Sequence, residues 1–304
     1  MGAVTAVIIG NARAGSSRDR SASLHDQLST SLARAGHNAV SLPFPAVATE
    51  ARAQRELTRH LDAGAERVYV LGGDGTVRSV AALLLGRNMP LGIVPAGTAN
   101  LLARDLGLPP EPERAIDALA EAQVRRIDVG RCNGAIFLCA AMFGMTTDLA
   151  RAREAARGIG AWRMLPRLLR RGYWLLKRYP FHRIRLHLDD EPVALTTRAL
   201  LVSNNPLEPR AGLYPSRASL QDGRFGVYGV CEGPLYDLPR LAVTLLAGSW
   251  PDEPRVFHRA CRRLRIDTMW PERTTALLDG EREPLRAPLV FDLLPAALPV
   301  LAPA

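Results

Sequence analysis

The sequence predicts an α/β plus β-rich fold, with an N-terminal open α/β domain and a C-terminal antiparallel, β-sandwich-like domain. Three observations carry this expectation. Over about the first 125 residues, strand-like runs alternate with helical stretches, as in an open, mostly parallel sheet. Past Val124 many short strands accompany only two helical stretches, the pattern of an antiparallel β domain. The 304 residues exceed one small core and suit two domains of roughly 150 residues each.

Each element has a local reason. Residues 3–9 form an apolar run that ends at Gly10-Asn11. Residues 17–35 have helical character and stop at Gly36, which permits the left-handed turn that ends helices. A second strand covers 38–42, and a helix covers 49–63 from Thr49, a usable N-cap. Strand 67–71 runs into Gly-Gly-Asp-Gly-Thr and a helix over 76–86. Strand 91–94 and helix 98–106 follow. Beyond 124, strands are expected at 125–132, 135–142, 183–189, 193–203, 225–231, 262–267, 274–279 and 288–293, with helices at 147–178 and 234–247.

Composition sets outer bounds. Hydrophobic residues make up 47% and charged residues 23%, enough to build a core and to exclude disorder as the dominant state. No apolar run approaches the roughly 18 residues that cross a bilayer. The first residues lack a signal peptide's basic start and apolar core. Ala6 stands where a myristoylation signal needs Ser or Thr. The four cysteines form no CxxC pair and no zinc spacing, and read as reduced core thiols of a cytoplasmic protein. The formal charge is +9, and Lys177 is the sole lysine among 39 cations. Arginine grips oxyanions bidentately, so the excess points to an anionic partner, although a genomic habit would also produce it. No helix-turn-helix, zinc-finger or RNP-like pattern appears, so nucleic acid is not an expected partner.

Three turns carry chemistry. Gly72-Gly73-Asp74-Gly75-Thr76-Val77 follows a strand and opens a helix. Glycines let the backbone approach an anion, and the helix start offers unpaired N–H groups. Asp74 repels phosphate unless Mg²⁺ or a proton mediates. The same residues would also make an ordinary strand-to-helix turn. Residues 92–100 repeat the pattern with Thr98 and Asn100 at the next helix start, and Asn11 and Gly15 do so after the first strand. In an open parallel sheet such turns gather at the carboxyl edge, where ligands bind.

These residues resemble the diacylglycerol kinase catalytic domain family, which includes bacterial lipid kinases and is related to sphingosine kinases. The likeness rests on GGDGT with GIVPAGTAN-LLAR, on Asn11 to Gly15, on Pro215 to Gly223 and on Asp279-Gly280-Glu281, in the family's order. It implies a nucleotide-binding domain over 1–127, a lipid-substrate domain over 128–287 with the active site between them, and a segment 288–304 returning to the first domain. The implied reaction is ATP- and Mg²⁺-dependent phosphoryl transfer to a lipid hydroxyl. Asn11, Ala12, Arg13, Ala14, Gly15, Thr49, Gly72, Gly73, Asp74, Gly75, Thr76, Val77, Arg78 and Thr98 would hold ATP. Glu281 would be the general base. Asp279 and Asp74 would stand near Mg²⁺ and the transferring phosphate. Asp222 would bind a structural Mg²⁺ with backbone carbonyls near Ser219 and Arg224. Arg78 departs from the family's usual Asn, Ala12 from its Pro and Ser16 from a common basic residue. On a strand, Asp279 and Glu281 would share one side. As a bare pattern, Asp-Gly-Glu also reads as a hairpin turn.

Residues 151–182 combine arginine pairs with apolar residues at helical spacing, including Leu165, Leu168, Leu169 and Leu176. Such a helix suits an anionic membrane surface, or packs on the β domain with a solvated arginine face. The overall expectation is a cytoplasmic kinase, peripheral to the inner face of the membrane and compatible with a homodimer. Diacylglycerol is the leading acceptor, a sphingoid base or other lipid alcohol the second. A catalytically weak nucleotide- or lipid-binding protein is the alternative of another class.

Overall fold

A computed structural model of the chain describes residues 5–11, 18–44, 51–144, 181–211, 216–234, 238–268 and 273–303. The chain forms two compact units, Met1–Ile127 with Pro295–Ala304, and Asp128–Leu294. It leaves the first unit along strand β5 (Gln123–Cys132) and returns along β15 (Leu289–Ala302).

In the first unit, β1 (Ala6–Asn11), β2 (Ala39–Phe44), β3 (Arg67–Gly72) and β4 (Leu91–Pro95) pair parallel in the order β2-β1-β3-β4. The end of β15 adds to β4 in parallel through Val300 and Leu91. The central strands are apolar between their ends, as buried parallel strands are: Val7, Ile8, Ile9, Val68, Val70 and Val94 are all buried. Helix α1 (Arg18–Arg34) buries Leu24, Leu28 and Leu32, one row at i, i+4, i+8. Gly36, at φ 83°, ends it: the N–H groups of Gly36 and His37 return to the carbonyls of Ala33 and Leu32. Helix α2 (Ala51–Asp62) buries Leu57 and Leu61, and α3 (Asp74–Leu84) buries Val77, Val80, Ala81 and Leu84. Helix α4 (Leu101–Asp105) and helix α5 (Pro112–Ala120) complete the unit.

The second unit is antiparallel. Its strand order is β14-β13-β7-β9-β8-β12-β15, with β10 added to β9, β11 to β10, and β6 to β5. The strands are β6 (Ala135–Phe137), β7 (Ala140–Gly144), β8 (His182–Leu188), β9 (Glu191–Asn204), β10 (Phe225–Cys231), β11 (Val256–Cys261), β12 (Leu264–Thr268), β13 (Arg273–Leu278) and β14 (Glu281–Arg286). Strand β8 shows the expected alternation, with Ile184, Leu186 and Leu188 inside and Arg183 and Arg185 outside. At the centre Phe137, Phe143, Phe225 and Phe291 pack with ring centroids 6.0–6.2 Å apart. Helix α6 (Leu238–Ala247) lies in this unit's span.

Several boundaries differ from the sequence expectation. The helix after β3 starts at Asp74, not 76, so Asp74 to Val77 form its first turn. Residues 98–100 precede α4 rather than belong to it, because Asn100 adopts φ 48°. The run 135–142 is two strands with a corner at Leu138-Cys139. Helix α5 and strands β11 and β14 were not expected, and the last strand runs on past Pro295 to Ala302. The stretch 151–180 lies outside the described residues, as do Ala12 to Gly15 and Thr49.

Candidate active site

The first unit brings two of the glycine turns into backbone contact. Gly72 ends β3 and Pro95 ends β4, and these two residues are register partners. The Ala96 N–H donates to the Gly72 carbonyl at 3.1 Å. One step further, a β-carbon at Gly97 would lie 2.3 Å from the Gly73 Cα, so no other residue fits there without moving a turn. Asn100 locks the second turn: its Oδ1 accepts from the Gly97 N–H and its Nδ2 donates to the Gly97 carbonyl, both at 3.0 Å. Asp74 opens α3 next to this contact, and its Oδ1 accepts from the Leu102 N–H of α4 at 3.4 Å. Thr98 is exposed on the second turn, and Asn11 ends the neighbouring β1.

The expected ligand residues divide by orientation. Val77, 2% exposed, points into the core, and buried Thr76 packs on Gly72. Both can offer a ligand only their backbone. Gly75 and Arg78 are half-buried in α3. The N-terminus of α3 carries the positive end of the helix dipole, a setting that favours an anion.

In the second unit, Asp279 and Glu281 do not share one strand face. Strand β13 ends at Leu278 and β14 begins at Glu281, its register partner. Asp279 and Gly280, at φ 50° and 89°, form the two-residue turn between them. Glu281 is exposed. Asp279 is 7% exposed, and its carboxylate accepts three backbone N–H bonds: Leu138 at 2.6 Å, Cys139 at 2.8 Å and Ala140 at 3.0 Å. These three bonds tie it to the β6–β7 corner.

The expected Mg²⁺ set Ser219, Asp222 and Arg224 is differently engaged. Ser219 Oγ accepts from the Gln221 N–H. Both Asp222 carboxylate oxygens accept from the Arg224 guanidinium, at 2.8 and 3.2 Å, and this pairing pushes the Arg224 pKa up. Among the described residues, no three His, Cys, Asp or Glu side chains converge as a metal site. Mg²⁺ wants carboxylate, carbonyl and water oxygens. The Arg224 guanidinium covers the Asp222 carboxylate in this arrangement, so a Mg²⁺ bound there would have to displace it. Asp74, a half-buried carboxylate beside the glycine turns, is the hard-oxygen donor that does suit one.

Comparison with known proteins gives the family. Residues 5–132 match the diacylglycerol kinase catalytic domain. These residues form a diacylglycerol kinase catalytic domain, and the chain is an enzyme of the lipid-kinase class. A diacylglycerol kinase of Staphylococcus saprophyticus is 28% identical over 225 residues, 71% of each chain. A diacylglycerol kinase of Bacillus subtilis is 27% identical over 222 residues, 70% of each. A crystal structure of a diacylglycerol kinase from Bacillus anthracis shares the fold, with TM-score 0.70 and 19% identity over 98% of this chain and 96% of that one.

The sequence did not disclose how this kinase braces its 219–224 turn. Asp128, 2% exposed on β5, accepts at Oδ2 from Asn205 Nδ2 (2.7 Å) and from the Gly223 N–H (2.8 Å). Its own N–H donates to the Leu220 carbonyl. Buried Asn204 donates to the carbonyls of Asp128 and Leu138, and buried Arg217 to those of Leu138 and Asn204. A lone acid in an apolar strand run, and Asn-Asn closing another, were the only sequence signals.

Proposed function

We propose that this chain transfers the γ-phosphoryl group of ATP to the hydroxyl of a membrane lipid, diacylglycerol foremost. The observation that carries this reading is the backbone contact of Gly73 and Gly97 beside Asp74, which leaves the glycine turns bare of side chains. Phosphate oxygens can then approach N–H groups directly. Asn11 to Gly15, Gly72 to Arg78 and Thr98 bind the nucleotide in this reading, and Thr49 stays with them by resemblance only. Mg²⁺ accompanying ATP neutralises charge on the phosphates, and Asp74 is the residue that would hold it. A second Mg²⁺ at Asp222 would have to displace Arg224.

The step balances simply. The lipid oxygen bonds to the γ-phosphorus, the bond from that phosphorus to the bridging oxygen breaks, and ADP leaves. Glu281 takes the hydroxyl proton; it is exposed to solvent. A positioned base contributes roughly 10²–10⁴-fold in rate. In this reading the enzyme meets its lipid from the aqueous side; no helix among the described residues is long and apolar enough to cross a membrane. The charge of +9 favours anionic headgroups, and association with the inner membrane face and homodimer formation belong to the same reading.

The test incubates the purified chain, and Glu281→Ala, with Mg²⁺ and labelled ATP against diacylglycerol, a sphingoid base and other hydroxyl lipids in mixed micelles. Label should enter diacylglycerol and fall by roughly 10²-fold or more in the variant. Label in the sphingoid base instead moves the acceptor. Saturable ATP binding without transfer to any lipid refutes the kinase reading in favour of a nucleotide-binding role.

A further inference from the structure

We propose that Asp279 is a positioning residue for Glu281. This rests on Glu281 being the base. An Asp-Gly pair is ordinary at a two-residue hairpin, where Asp serves only to tolerate positive φ. Asp279 does more. Its buried carboxylate leaves its own turn and accepts three N–H bonds from Leu138, Cys139 and Ala140. Its own N–H donates to the Ala140 carbonyl at 3.0 Å. Hydrogen bonds to an ionised acceptor are roughly twice as strong as neutral ones.

The corner it grips is itself held from the other side. Arg217, 8% exposed, donates through one guanidinium nitrogen to the carbonyls of Leu138 (2.7 Å) and Asn204 (2.8 Å). Its other terminal nitrogen lies 3.4 Å from Cys139 Sγ. The Asn204 N–H donates to the Cys139 carbonyl at 2.9 Å. The corner therefore has its N–H groups on Asp279 and its carbonyls on Arg217 and Asn204. Glu281 sits two residues beyond Asp279, at the first position of β14. Where the turn is pinned, the start of β14 is pinned.

Asp279→Asn separates the two roles. Asn-Gly makes this turn as readily as Asp-Gly. An amide, however, offers one acceptor atom and one donor group, so it cannot satisfy N–H bonds at both oxygen positions. The expected result is at least a tenfold fall in kcat with KM for ATP unchanged. In the Glu281→Ala background the same change should have no further effect on the residual rate, because Asp279 acts through Glu281. Arg217→Lys loosens the same corner from its carbonyl side and should repeat the pattern. Near-ultraviolet circular dichroism identifies variants that keep the fold, and either variant can decide the question. Unchanged kcat in a folded variant overturns the proposal. So does an equal further fall in the Glu281→Ala background, which marks a separate structural or chemical role. Wild-type turnover in Glu281→Ala alone refutes the base reading itself, and the positioning role with it.

Discussion

Gly97→Ala adds one carbon and tests the contact on which the nucleotide reading stands. The new β-carbon would lie 2.3 Å from the Gly73 Cα and 2.8 Å from Asn100 Oδ1. Carbon atoms pack at roughly 3.5–4.0 Å, so the two turns must part by on the order of 1 Å. Neither partner is a flexible side-chain end: one is backbone, and the other is held by two hydrogen bonds to Gly97 itself. Overpacking of this kind costs roughly 1–3 kcal/mol, about 4 °C in Tm per kcal/mol at this unit size. A displacement of about 1 Å at a phosphate-binding turn costs on the order of 10²-fold in rate. Gly10→Ala is the control, because a β-carbon there meets nothing within 4 Å. Thermal melts, equilibrium ATP binding and label transfer should all show a loss in Gly97→Ala and none in Gly10→Ala. If Gly97→Ala melts, binds and turns over like the control, the close approach of the turns is not what prepares this edge.

Three further outcomes follow from the second unit. Phe291 meets Phe137, Phe143 and Phe225 edge to face, so Phe291→Ala should lose roughly 3–5 kcal/mol in chemical denaturation; a loss below about 1 kcal/mol would contradict that packing. Asp267 is held below its ordinary value of 3.8 by hydrogen bonds from Arg265 first and then His187. A depressed carboxylate stabilises above its unfolded value and loses that contribution as pH falls through the folded one, so the gap in stability between wild type and Asp267→Asn should be present at pH 6 and shrink below pH 3.8. Urea titrations at both pH values check this, the effect being the ~1 kcal/mol or less of an exposed pair. Burial pushes the Cys132 and Cys261 thiols up to about 12, so at pH 8 neither should react in the native protein, while half-buried Cys231 reacts ahead of them; rapid native labelling of Cys132, read by mass spectrometry, would contradict its burial.

The elements that the sequence disclosed are those set by local chemistry. Apolar runs with a glycine stop gave β1, β3, β4 and the end of α1, because burial on both faces and a positive φ are written in consecutive residues. The missed elements carry conflicting local signals. Pro109, Pro110 and Pro112 read as breakers, although Pro112 takes the first position of α5, where its missing N–H costs nothing. Strand β14 reads Glu-Arg-Glu-Pro-Leu-Arg and looks like loop. It pairs only with β13 among the described strands, and an edge strand tolerates both the charges and Pro284. Strand β15 was cut short before Pro295, where the chain leaves its pairing with β12 and takes up β4.

Two features of the fold have one cause. The run Ala-Ile-Phe-Leu-Cys-Ala-Ala-Met over 135–142 is uniformly apolar, and nothing in it announces a corner. Asp279-Gly280-Glu281 announces a turn, but not a carboxylate with three N–H partners. Each becomes intelligible through the other. A buried carboxylate must find donors, and backbone N–H groups can turn to it only by leaving a ladder. Leu138, Cys139 and Ala140 supply them, so the run breaks there and the Asp279 charge is satisfied. The partners lie 139 to 141 residues apart along the chain. No window of local sequence contains both, so residue type marked Asp279 as worth watching and only the fold shows which N–H groups its carboxylate meets.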